Sequence, residues 1–270
     1  MSTPATDVMN PTDRIALISG ATGGIGMAIC ARLLESGLRV VMLGRNEAKL
    51  SRAHDTIVAE HGSADRLSIQ VMNIADQSSV TDATTTVLAR FGIVTDLVHA
   101  AGDGPVCPLL ETTEKIWSEA VQGKLLGTVR LTRAVASEMV KRQSGNIIIV
   151  NGTLSQEVDP LFPINSLINS GLSGFAKSIS RDLGTKGIRV NVVNPGATAT
   201  PLWQEICHAL AARFGVSADE IDKQFRGKSP LGRIAAPMDV ANAVNFLLSS
   251  HATHIVGASI NVDGGATCAV

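Results

Sequence analysis

The sequence predicts an α/β fold in which a doubly wound sheet of seven parallel strands carries helices on both faces. Short apolar runs rich in β-branched residues alternate along the chain with helix-length amphipathic stretches, the rhythm of strand-helix-strand units. The runs are also apolar at successive positions rather than at every second one, most clearly in Val40-Val41-Met42-Leu43 and Ile147-Ile148-Ile149-Val150. A strand covered by helices on both faces needs that pattern. At 270 residues and 45% hydrophobic composition, the chain fills one such domain rather than two.

Residues 1–12 contain Pro4 and Pro11 and lack the apolar stretch of a signal peptide, so they read as a flexible tail before a single domain over 13–270. The expected strands are Arg14–Ser19, Arg39–Leu43, Leu67–Met72, Thr95–His99, Asn146–Asn151, Ile188–Val193 and Ala258–Val262. Between them the spacing predicts helices that include Met27–Ser36, Trp117–Arg142 and Asn165–Gly184. The rhythm breaks once, over Pro201 to Pro230, where Trp203, Ile206, Leu210, Phe214, Ile221 and Phe225 mark an amphipathic insertion before the last helix. Ligands in this architecture bind outside the carboxyl ends of the strands, where such an insertion can act as a substrate lid.

Composition narrows the partners. Lys and Arg total 23 against 24 Asp and Glu, a net charge of -1, and no basic block points to nucleic acid or an acidic membrane. The expected partner is a small molecule. Cys30, Cys107, Cys207 and Cys268 are scattered without metal-ligand spacing, which predicts no metal and fits a reducing cytoplasm. No run approaches the length of a membrane span.

The turn after the first strand reads Ser19-Gly20-Ala21-Thr22-Gly23-Gly24-Ile25-Gly26 and leads into a helix. Small residues there let the backbone approach a pyrophosphate, whose charge meets free N–H groups at the helix start. Thr22 and Ile25 belong to the same turn, which reads either as a Rossmann-type dinucleotide site or as an ordinary tight turn. His99-Ala100-Ala101-Gly102 closes the fourth strand, Asn194-Pro195-Gly196-Ala197-Thr198 follows the sixth, and Ser229-Pro230-Leu231-Gly232-Arg233 and Val262-Asp263-Gly264-Gly265 come near the end. From Asp13 to Ala266 this series resembles the short-chain dehydrogenase/reductase superfamily, with its T-G-x-x-x-G-x-G, N-N-A-G and P-G motifs in order. The resemblance implies cofactor contacts from Ala101, Gly102, Pro195, Gly196 and Thr198. It also implies a homodimer or homotetramer built on the Trp117–Arg142 and Asn165–Gly184 helices.

The second strand ends Leu43-Gly44-Arg45-Asn46, without the carboxylate that an NAD-preferring relative places at Gly44 for the ribose hydroxyls. Arg45 either pairs with a 2′-phosphate or is a solvated loop residue. The first option selects NADP(H) over NAD(H). Asn73 stands where relatives carry an Asp against adenine, with Ile74 beside it, and an amide keeps a hydrogen bond there without the charge.

Relatives reduce a carbonyl with Asn, Ser, Tyr and Lys, but this chain contains no tyrosine. Register from Ser170-Gly171 to Lys177-Ser178 places Asn165 at the Tyr position and Asn169 at the Lys position, where its amide can still reach a ribose hydroxyl. Gly152 falls at the Ser position and Lys124 at the Asn position. The missing Tyr removes the acid required when an alkoxide forms, whereas hydride transfer belongs to the cofactor. Val158-Asp159-Pro160-Leu161-Phe162-Pro163 then holds Asp159 in a proline-stiffened loop, as a catalytic carboxylate or as an ordinary turn residue. This D-P-x-x-P loop, with a basic residue at 124, resembles the atypical short-chain reductases of fungal indole-alkaloid assembly, which act on iminium substrates. The match covers those two positions, with Lys where they have Arg. His99 reads as structural, and Trp203 and Phe162 as pocket wall.

Three readings follow. An NADP(H)-dependent reductase of an iminium or other activated bond would use Asp159 to stabilise the cation and Lys124 to position it. A carbonyl oxidoreductase would use Lys124 or a protonated Asp159 as its acid. A third protein would keep the nucleotide pocket for binding or non-redox chemistry alone.

Overall fold

The computed structural model describes residues 10–102 and 104–268. Seven strands, β1 (Ile15–Ser19), β2 (Arg39–Gly44), β3 (Leu67–Val71), β4 (Asp96–His99), β5 (Gly145–Val150), β6 (Ile188–Pro195) and β7 (Ser259–Val262), form one sheet in the order β3-β2-β1-β4-β5-β6-β7. Every pairing is parallel. The strand order reverses between β1 and β4, and the crevice at that switch point is where a parallel sheet of this kind receives its ligand.

Alternation within each strand sends side chains to two separate cores. Leu17, Leu97, Ile147 and Ile149 meet helices α3 (Gln77–Phe91), α5 (Leu126–Arg142) and α6 (Pro163–Gly184). Ile18, Val98 and Ile148 meet α1 (Gly24–Glu35), α2 (Glu47–His61) and α9 (Pro237–Leu248) on the other face. The uninterrupted apolar runs follow from this, because each strand must satisfy both layers.

Strand and helix ends lie within three residues of the sequence expectation, and three segments take shapes that it did not specify. Of the expected tail, residues 1–9 lie outside the described residues, while Pro11–Asp13 form a 3-10 turn closed by the Arg14 N–H on the Pro11 carbonyl. The long helix Trp117–Arg142 is not continuous: α4 (Glu114–Ala120) passes through a wide π turn, Val121–Leu125, into α5. The insertion folds as a helical hairpin, α7 (Pro201–Phe214) and α8 (Ala218–Lys228), around its own core of Trp203, Cys207, Leu210 and Ile221. Among the described residues no helix is long and apolar enough to cross a membrane.

Candidate active site

The turn between β1 and α1 is built on close backbone approach. Gly20 has φ 72°, and a Cβ on it would overlap the Ala100 carbonyl at the end of β4, so only glycine fits. Gly23 caps α1 without a side-chain hydrogen bond, and the first turn of α1 carries no acidic residue, which leaves its N–H groups facing the crevice at the positive end of the helix. A Cβ on Gly24 would lie 2.7 Å from Thr200 Cγ2. Thr200 is also the N-cap of α7, accepting from the Trp203 N–H at 3.2 Å, so the hairpin starts directly on the glycine turn.

Around that turn, Arg45 is exposed just beyond β2 and Asn46 is occupied as the N-cap of α2. Asn73 uses its side-chain oxygen in a local turn with the Ala75 N–H at 3.2 Å. Ile74 packs on Gly127 at the start of α5. Thr198 donates to the Gly196 carbonyl at 3.0 Å and bridges to Ala235. Its hydroxyl proton is therefore used inside the Pro195-Gly196 loop.

At the carboxyl ends of β4 and β5, the π turn brings Lys124 inward against Gly102, where a Cβ would stand 2.9 Å from Lys124 Cβ. The Lys124 side chain is buried, with the residue 6% exposed and Nζ 3.5 Å from the Asn151 carbonyl. Asn151, the first residue after β5, donates its amide to the Asn169 carbonyl at 2.9 Å and to Ser173 Oγ at 3.1 Å. One asparagine thus ties the lysine to α6. On that helix Asn165 and Asn169, 4% and 3% exposed, lie one turn apart on the same face. Asn165 donates to the Gly104 carbonyl at 3.3 Å, and Asn169 Oδ1 is buried without a hydrogen-bond partner.

Asp159 lies in the loop before α6, where its N–H donates to Ser166 Oγ at 3.4 Å. Its Oδ1 accepts from the Leu161 N–H at 2.8 Å, and its backbone oxygen accepts from Phe162 at 3.0 Å, the two bonds of a tight Asx turn. The half-buried residue lines a cleft of about 210 Å³ with Gly196, Ala197, Lys228, Arg233 and Asp263; Lys124, Asn165 and Asn169 are not in that cleft's wall. His99 is 2% exposed with Nε2 2.9 Å from Thr132 Oγ1, and burial lowers its pKa to about 3, so it is a neutral structural group. Trp203 and Phe162 are both buried, Trp203 inside the hairpin core.

Known proteins match nearly the whole chain. The family described as enoyl-(acyl carrier protein) reductase matches residues 20–267. The chain is 34% identical, over 94% of its length and 97% of the relative's, to a Streptomyces virginiae protein that carries the provisional name of a monensin polyketide synthase ketoacyl reductase. It belongs to the short-chain dehydrogenase/reductase superfamily. This short-chain dehydrogenase/reductase family member is 29% identical to the 3-oxoacyl-[acyl-carrier-protein] reductase FabG of Escherichia coli strain K12, over 95% of the chain and 98% of that protein. Its fold superposes on a point variant of the actinorhodin polyketide ketoreductase with NADPH at a TM-score of 0.89, with 28% identity covering 96% of this chain and 99% of that one. The L-sorbose reductase of Gluconobacter frateurii, complexed with NADPH and L-sorbose, gives 0.87 at 27% identity, covering 95% and 97%.

As a member of that superfamily the protein is an NAD(P)-dependent oxidoreductase, and its residues fit the cofactor. The uncapped, acid-free start of α1 suits a pyrophosphate, and the unpartnered Asn169 oxygen suits a hydroxyl donor such as a ribose. Sequence reasoning overlooked Asn151 and Thr200. Asn151 had a visible signal, a polar residue directly after four β-branched ones; Thr200 had none beyond its place before Pro201.

Proposed function

We propose that this short-chain reductase reduces a carbonyl with NADPH and that Lys124 supplies the proton its relatives take from tyrosine. The buried position of Lys124 on the Asn151 carbonyl, between Gly102 and α6, carries this reading. A protic ammonium held beside the crevice lowers the barrier twice, by attracting the oxygen as negative charge develops and by giving that oxygen a proton. When bound, the nicotinamide supplies the hydride to the carbonyl carbon. Lys124 donates one proton to the resulting alkoxide and regains it from solvent. Asn151 holds the ammonium in line, and Asn165 fixes the loop at Gly104.

The iminium reading is the weaker one, because the carboxylate meant to stabilise the cation accepts the Leu161 N–H within its own turn. The names of the relatives, ketoacyl and 3-oxoacyl reductases, favour a 3-ketoacyl thioester as the substrate class. Exposed Arg45 beside carboxylate-free Gly44 supports NADP(H) over NAD(H), with Asn73 and Ile74 against the adenine.

The test is turnover of a 3-ketoacyl N-acetylcysteamine thioester and of a cyclic imine, with NADPH and with NADH. We expect ketone reduction that prefers NADPH, and a loss on the order of a hundredfold in kcat for Lys124→Met with NADPH affinity unchanged. Imine reduction without ketone reduction, equal affinity for the two cofactors, or a Lys124→Met variant at the parental rate would each overturn the corresponding part.

A further inference from the structure

Gly152 and Asn169 occupy one another's space. A Cβ on Gly152, which follows Asn151 at the end of β5 with φ 154°, would stand 2.8 Å from Asn169 Nδ2 and 4.0 Å from the Pro195 carbonyl. The amide of Asn169 therefore fills the room that a side chain at 152 would take, beside the Pro195-Gly196 step. It is held there from behind, because Asn151 bonds the Asn169 backbone carbonyl. Among the described residues neither Nδ2 nor the buried Oδ1 of Asn169 makes a hydrogen bond, so the amide is not consumed by the protein's own hydrogen bonding.

We infer that Asn169 is a catalytic residue whose Nδ2 hydrogen polarises the substrate carbonyl, an assignment that rests on the carbonyl reading above. Lys124 and Asn169 reach the same place from the two residues flanking it: the lysine lies on the Asn151 carbonyl and the amide lies over Gly152. An amide N–H at that point strengthens its hydrogen bond as the carbonyl oxygen gains charge. Asn169 keeps its hydrogens throughout; the hydride goes to carbon, the π pair goes to oxygen, and the proton on the product hydroxyl comes from Lys124. The glycine at 152 answers two constraints at once, its own backbone φ of 154° and the asparagine amide beside it.

A swap tests the assignment. Asn169→Ala should lower kcat for the 3-ketoacyl thioester on the order of a hundredfold. Adding Gly152→Ser to that variant puts a hydroxyl donor into the vacated space and should recover tenfold or more of the loss, while NADPH affinity stays where Asn169→Ala left it. Gly152→Ser alone should be impaired, because the serine meets both the amide and a backbone φ of 154° that side chains rarely adopt. Melting temperature reads the same competition without turnover: Gly152→Ala should cost about 3 °C or more in the parent and clearly less in the Asn169→Ala background. Should Asn169→Ala lose its cooperative melt, Asn169→Val, of similar bulk and without a donor, replaces it. A parent inactive on the ketone overturns the carbonyl reading and this assignment with it. An active parent with Asn169→Ala at parental kcat, with no gain from the added serine, or with additive melting shifts overturns this assignment alone.

Discussion

At the residue scale, two buried amides, Asn165 and Asn169, share one face of α6. His99 shows what burial does to a titratable group at a strand end. Its pKa is lowered to about 3 because the ring is cut off from water, and its Nδ1 has no partner. Below the unfolded value of 6.5 the unfolded chain binds a proton that the folded ring refuses, so stability is present above 6.5 and is lost progressively as pH falls toward 3. The cost is at most about 1.4 kcal/mol per pH unit. Urea midpoints measured near pH 7 and about pH 4.5 should separate less for His99→Asn than for the parent; equal separation would mean that His99 is not the group responsible. Lys124 was legible in the sequence because a charged residue stood in helical register with Val121, Leu125 and Thr128. The Asp159 turn was not, since a carboxylate before proline looks the same whether it serves a turn or a substrate. Nor was the pairing of Gly152 with Asn169, which depends on how α6 lies across the end of β5.

At the element scale, the α7–α8 hairpin has the local signals of a self-contained unit. Thr200 caps its start, Gly215 closes α7 at φ 67°, and Ser217 with Glu220 forms a capping box on α8. Trp203 Nε1 donates to Asp222 Oδ1 at 2.8 Å, and the ring meets Phe225 edge-on at 4.8 Å. Burial works to raise the Asp222 pKa, but the bonds from Trp203 and Arg226 outweigh it and hold the carboxyl below its ordinary range. An ion pair between Arg213 and Glu111 ties α7 to the turn after β4. The apolar stripe was readable from spacing, except that Phe214 faces outward at the helix end. Replacing Asp222 with Ala leaves the Trp203 N–H without its acceptor, a loss of about 1–3 kcal/mol for a group so placed. We expect faster proteolytic cleavage within residues 201–228 and a nearly unchanged global melt; a cleavage pattern identical to the parent's would show that the hairpin does not depend on this bond.

At the scale of the whole molecule, the two ends of the sheet do different work. The carboxyl ends meet at the β1–β4 switch point and carry the crevice. At the amino end, Arg14 grips buried Asp96 through Nε at 3.0 Å and a second nitrogen at 2.6 Å, while Thr95 and Asn146 complete the carboxylate's hydrogen bonds. A buried charge is tolerated only when paired so fully. The doubly wound architecture was readable because every strand must be apolar on both faces; the π turn was not, since its side chains fit an ordinary helix equally well. The outer faces of α5 and α6 expose Leu126 and Leu167, the latter at 53%. Large apolar side chains on neighbouring helices are a surface that a second copy can cover. Light scattering at micromolar concentration should return a dimer or tetramer of the 28.1 kDa chain, and a monomer would count against association through these helices.

The wide turn at Val121–Leu125 has a consequence for how this chain tolerates insertions and deletions. A π turn holds one residue more than the α-helical turn it replaces, so loss of Val121, Gln122, Gly123 or Leu125 would close it into ordinary helix, leaving the flanks α4 and α5 in register and turning the residues of the π turn itself to new directions. The Lys124 ammonium would then leave the Asn151 carbonyl, while Trp117 on α4 keeps Thr112, to which it donates at 2.9 Å. A one-residue gap in this helix would then resemble a lost lysine in its effect, with every named side chain of the crevice still present in the sequence.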